Sequence, residues 1–151
     1  MRYASKQASA QETLSLRMLQ REEMNCQIVH DSIHRRDGWT VSYFLELDGR
    51  TVGFGSTAIA GPWKGKPTVF EFYLLPERRI RAFELFEALI TASGAKFFEA
   101  QTNDPLFTIM AHNYGSNIVS EKIVFRDGMT TDWSQQGARL RLKTSKEALL
   151  S

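Results

Sequence analysis

With 151 residues, 42% of them hydrophobic and 24% charged, the chain suits one globular domain with a substantial core and is too apolar for disorder. A formal net charge of only +2, with a pI near 8.8, gives no broad basic surface and argues against nucleic acid as the partner. The single cysteine, Cys26, excludes an internal disulfide and a multi-thiolate metal site.

No apolar run reaches the roughly 18 residues that span a bilayer, so no membrane association is expected. The polar start lacks the apolar middle of a signal peptide, and the expectation is a soluble cytoplasmic protein. Residues 1–10 are small and polar and read as a flexible terminus ahead of one domain over 11–151. From Gln11 to Ile33 no proline or glycine intervenes, and Leu14, Met18, Cys26, Val29 and Ile33 fall at helical spacings, predicting one long helix or two short ones. Gly38 provides the stop.

Alternation then takes over. Trp39, Val41, Tyr43, Leu45 and Leu47 share one face, and Asp48-Gly49 leads directly into a second alternating run through Val52 and Phe54. That pattern predicts a hairpin. Gly61 to Pro67 is a turn cluster. Thr68 to Leu75 is an apolar, aromatic strand that stops at Pro76. Three arginines follow, then an amphipathic helix with Ala82, Phe83, Phe86, Leu89 and Ile90 on its apolar face, closed by Ser93-Gly94. Lys96 to Gln101 reads as a strand buried on both faces, and Asn103 or Asp104 caps a helix that starts at Pro105. Ile118 to Phe125 and Ala138 to Lys143 complete the strands. Strands 68–75 and 96–101, joined by a helix, should be parallel neighbours, and the others should pair as antiparallel hairpins. The predicted class is α/β (α+β): a mixed, mostly antiparallel sheet with helices on both faces.

This order, with P-E-R-R-I-R-A-F-E-L-F-E-A-L-I after the third strand and N-D-P-L-F-T-I-M-A-H-N-Y-G after the fourth, resembles the GNAT family of acyl-CoA-dependent N-acyltransferases over about residues 39–143. The resemblance implies a central parallel pair that splays into a slot for the pantetheine arm. It implies transfer of an acetyl or other acyl group from acetyl-CoA or another acyl-CoA to a small-molecule or peptide amine. It also implies that Leu74, Leu75, Arg78, Arg79, Ile80, Arg81, Ala82 and Phe83, with Asn103, hold the coenzyme. The family's phosphate loop usually reads Arg/Gln-x-x-Gly-x-Gly/Ala. Setting Arg79 first puts Ala82 and Glu84 at the small positions, and setting Arg78 first puts Arg81 and Phe83 there, so neither register contains a glycine. A fold that has lost catalysis and serves as a ligand-binding or dimerisation module is therefore the alternative, and a homodimer is compatible with either reading.

Acyl transfer to an amine needs a proton acceptor, and a carboxylate whose pKa is raised by burial can serve. Glu71, on the face of Val69 and Tyr73, and Glu99, on the face of Phe97 and Gln101, are the candidates, with structural ion pairing as the competing role. The resemblance implies a tyrosine that protonates the departing thiolate, and Tyr114 is the approximate match. A half-buried packing role competes with it. For Arg78, Arg79 and Arg81, cations at a helix start oppose the dipole, which favours an anion partner over a purely structural role. His112 reads as a surface histidine. His30 and His34 share one helical face at i and i+4, but no third ligand stands nearby, so no metal is expected. Cys26 reads as packing.

Overall fold

The protein is described here by a computed structural model that covers residues 1–24 and 30–119. At the tip of the predicted hairpin, Asp48 and Gly49 take φ of 50° and 78°. Positive φ at both central residues matches the right-handed twist of the flanking strands. The turn joins β2 (Thr40–Leu47) to β3 (Arg50–Ala58), and β4 (Thr68–Leu74) lies antiparallel on the other side of β3.

β1 (Tyr3–Ala8) pairs antiparallel with β2, from Tyr3 opposite Leu47 to Ala8 opposite Ser42. The expectation of a flexible terminus is thereby corrected. Tyr-Ala-Ser-Lys-Gln-Ala has little strand propensity of its own, and its order comes from ladder bonds to β2, at an edge where polar side chains discourage further pairing. After β1, Ser9 Oγ accepts from the Glu12 N–H at 3.2 Å while Glu12 Oε2 accepts from the Ser9 N–H at 2.7 Å, a reciprocal cap that turns the chain into α1 (Leu14–Met24). The predicted helical stretch is two helices, α1 and α2 (His30–His34), with Cys26 outside the described residues. Arg17 and Arg21 of α1 both pair with Asp31 of α2.

After Pro76 the chain makes a 3-10 turn over Pro76–Arg81 before α3 (Ala82–Ser93) begins, so the arginines precede the α-helix. Gly94, at φ 64°, closes α3. Its buried face is Ala82, Leu85, Phe86 and Leu89; Phe83, expected there, is 47% exposed. These residues pack on Tyr43, Leu45, Val52, Val69, Phe72 and Leu74 of the sheet and on Phe107 and Met110 of α4 (Pro105–Tyr114). Gly55 lets α3 approach: a Cβ there would stand 2.3 Å from Leu89 Cδ2.

β5 (Phe97–Phe98) runs parallel to β4, as predicted, but for two residues only, and Phe97 is 47% exposed rather than buried. The sheet order is β1-β2-β3-β4-β5. The run Glu99-Ala100-Gln101-Thr102-Asn103, in which Ala100 alone packs on the core, leaves the sheet toward α4. The last predicted strands lie, from residue 120 on, outside the described residues. No helix among the described residues is long and apolar enough to cross a membrane.

Candidate active site

β4 carries one more residue than β3 at its centre: Ser56 faces Glu71 and Thr57 faces Val69, which leaves Phe70 as a bulge. The bulge resets which side chains share a face. Val69, Phe72 and Leu74 enter the core beneath α3, whereas Phe70, Glu71 and Tyr73 meet α1 and α2. Val69 and Glu71, expected together, are on opposite sides.

The parallel pairing stops at the same place. Phe98 faces Val69, the Glu99 N–H reaches the Val69 carbonyl at 2.9 Å, and among the described residues no strand continues along that edge of β4 toward Leu74. The central pair therefore diverges after a short contact, and β4 alone runs on to the arginine turn.

At that turn no side chain caps α3: the Ala82 N–H is taken by the Arg79 carbonyl of the 3-10 turn and the Glu84 N–H by its own carboxylate. The three arginines differ in their surroundings. Arg79 is committed: its guanidinium donates to the Leu74 carbonyl at 3.2 Å and to Glu23 of α1 at 2.6 Å, over the Tyr73 ring. Arg81 lies 3.5 Å from Glu84. Arg78 lines a cavity of about 440 Å³ with Leu75, Glu77, Arg50 and Asp48. Glu84 does not plug the turn. Its carboxylate accepts from the Tyr3 hydroxyl of β1 at 3.3 Å, and its own N–H together with Tyr3 and Arg81 holds it below the usual carboxylate range. Leu74 is fully buried, Leu75 donates its N–H to the Val52 carbonyl, Ala82 is buried at the helix start, and Ile80 is 82% exposed.

Behind the bulge lies the most enclosed charge among these residues. Glu71 is 1% exposed, with Oε2 2.7 Å from His34 Nε2 and Oε1 3.2 Å from His30 Nδ1, the latter off the line of a straight hydrogen bond. Both imidazoles pack against Phe70, with ring centroids 5.1 and 5.3 Å away. Burial by itself pushes the Glu71 carboxyl up, but the bonds and charges of the two imidazoles outweigh it and hold the carboxyl well below its ordinary range. Glu71 is therefore a carboxylate near neutral pH, and the raised pKa expected of a base is not found. His34 Nδ1 lies 3.1 Å from Thr40 Oγ1 and borders a cavity of about 570 Å³ lined also by Ser42 and Gln7. The helical spacing of His30 and His34 was visible in the sequence, but their partner, 37 positions beyond His34, was not.

Glu99 and Glu71 are not brought together. Glu99 is exposed and accepts from the Trp63 indole at 3.0 Å. Tyr114 ends α4 half-buried, its hydroxyl donating to Glu87 at 2.9 Å; burial, with the Glu87 bond and charge, pushes its pKa up to about 12. Asn103 is exposed, and the cap is Asp104, whose Oδ1 accepts from the Phe107 N–H and whose Oδ2 accepts from Gln20 of α1, both at 3.0 Å.

No family model matches the chain, and no curated protein matches it by sequence. Solved structures do. A ribosomal-protein-alanine N-acetyltransferase from Brucella melitensis biovar Abortus 2308 superposes with a TM-score of 0.58 at 14% identity, over 83% of this chain and 99% of that one. A predicted acetyltransferase from Clostridium acetobutylicum, solved with acetyl-CoA, gives 0.54 at 14% identity over 83% and 96%. AAC(6')-Iy, solved with a bisubstrate analogue of CoA and acetylneamine, gives 0.51 at 18% identity over 85% and 100%. The fold is thus shared with these solved acetyltransferases, and the mixed sheet of the described residues, with its parallel β4-β5 pair and helices on both faces, is the GNAT fold.

Proposed function

We propose that the protein transfers an acetyl or other acyl group from acyl-CoA to an amine acceptor, as a cytoplasmic enzyme. The observation that carries the reading is the edge of β4 beyond Val69, unpaired among the described residues, which runs into the turn that carries Arg78 and Arg81 ahead of α3. A pantetheine arm is extended and carries amides, so it suits an unpaired strand edge such as the one leading to Leu74 and Leu75. A diphosphate suits helix amides and guanidinium groups, here the Phe83 amide with Arg78 and Arg81, while Ala82 keeps the approach small. Ile80 and Asn103, both exposed, would border the coenzyme, and Arg79 would hold α1 in place through Glu23.

The acceptor amine enters this reading from the α1 and α2 side, with Glu99 and Trp63 at its rim. Of the solved structures named above, one is a ribosomal-protein-alanine N-acetyltransferase and one was captured with an acetylneamine analogue, so both amine classes belong in the test. Acetyl-CoA is offered to the protein with neamine or an alanine-terminated peptide, and thiol release is followed with a chromogenic disulfide. Amine-dependent release is the expected result. Coenzyme binding with no release for any amine would instead mark a binding module.

A further inference from the structure

We propose that His30 is the residue that takes the proton from the acceptor amine, with Glu71 and His34 as its positioning residues. The inference rests on the acyltransferase reading and adds to it the identity of the base. It starts from a face of β4 that coenzyme binding leaves unused. His30 stands edge-on to Phe70, the bulged residue at which β5 departs, and its side chain is 13% exposed where that of His34 is 4% exposed. Of the two imidazoles clasping Glu71, only His30 also turns a nitrogen toward the diverging strand: its Nε2 lies 3.4 Å from Nε2 of Gln101, in the segment between β5 and α4.

Gln101 Nε2 carries donor hydrogens and faces His30 Nε2, an arrangement that suits an acceptor at that nitrogen and a ring proton on Nδ1, the side on which the Glu71 carboxylate lies. His34 is held the opposite way, with Nε2–H directed at Glu71 Oε2 and Nδ1 open to the Thr40 hydroxyl. A carboxylate behind an imidazole orients the ring and stabilises the cation that forms on protonation. Glu71, too acidic to be the base, suits that supporting role.

The amine lone pair forms the N–C bond at the thioester carbonyl, the C–S pair leaves on sulfur, the surplus amine proton passes to His30 Nε2, and the thiolate is protonated from solvent. The imidazolium then returns its proton to water. An amine in this position displaces the Gln101 amide as the partner of Nε2. The titratable groups around His30 are Glu71 from β4, Asp104 at the start of α4, which feels the His30 charge, and Asp31 and His34 on its own helix; Arg17 and Arg21 of α1 are bound to Asp31.

The test compares the full-length wild type with His30→Gln, Glu71→Gln and, as a control, His112→Gln, an exposed histidine of α4. Acetyl transfer to neamine and to an alanine-terminated peptide is measured across pH, and acetyl-CoA affinity by calorimetry. His30→Gln is expected to lower kcat/KM about 100-fold and abolish the acidic limb of the pH profile, with acetyl-CoA affinity unchanged and the control like wild type. Glu71→Gln should move that limb rather than remove it. A His30→Gln protein with wild-type turnover and the same limb overturns the proposal and leaves the transferase reading intact. A wild type that binds no acetyl-CoA or transfers to no amine overturns both. Nitrogen NMR of the wild-type histidines supplies a readout independent of turnover and of any variant's folding: a proton on His30 Nδ1 supports the assignment, and one on Nε2 alone overturns it.

Discussion

Glu71 combines full burial with charge, and only its two imidazole partners make that combination stable. Its folded pKa lies below the 4.5 of a free glutamate, so its contribution to stability is present above about that pH and is lost as the pH falls through and below it. Urea titrations at neutral pH and near pH 4 should therefore show a larger loss of midpoint for wild type than for Glu71→Gln, which at neutral pH is expected to be less stable by about 2 kcal/mol. Parallel losses in the two proteins would mean that the carboxylate is not held ionised by the histidines. Tyr114 poses the reverse case. Its hydroxyl proton is given to Glu87, so Tyr114→Phe is expected to change turnover less than about threefold, and a loss of about 100-fold would make it the thiolate's proton donor. Sequence could nominate Glu71 because a carboxylate interrupts an apolar strand. It could not show that His34 and Glu71 meet, because that contact joins a helix and a strand far apart in the chain.

Among the elements, those whose signal is local were legible. Asp48-Gly49, the Asp104-Pro105 helix start and the Gly94 stop each follow from the φ or the cap that their residues favour. β1 was not legible from its polar strand, although Ser9 and Glu12 carry the reciprocal cap that ends it. The Phe70 bulge escaped as well, since register is set by the partner strand, and with it went the expected faces of β4. β5 ends early where Glu99, Gln101, Thr102 and Asn103 leave Ala100 as the one apolar residue before α4. The cap of α4 gives a test at this scale. Asp104 serves both the Phe107 amide and the Gln20 amide, so Asp104→Ala should lower stability by about 1 to 2 kcal/mol in urea, with Asp104→Asn between it and wild type. Equal stability of all three would mean that neither bond holds α4.

At the scale of the molecule, the GNAT order of elements was readable before any side chain was placed, because hairpin, strand, arginine turn and helix recur in sequence with their own periodicities. The proposed catalytic arrangement was not, because it depends on one extra residue in β4 and on helices packed across the sheet. The described residues leave a strand edge unpaired ahead of the arginine turn on one side of the bulge, and set two imidazoles on a buried carboxylate on the other. Calorimetric titration of acetyl-CoA, CoA and ADP into wild type and into an Arg78→Ala/Arg81→Ala double variant tests that arrangement most directly. One site for acetyl-CoA and CoA, weakened about tenfold by the double substitution, is the expected result. No heat with any of the three ligands, or full affinity in the double variant, would contradict the placement of coenzyme A at the start of α3.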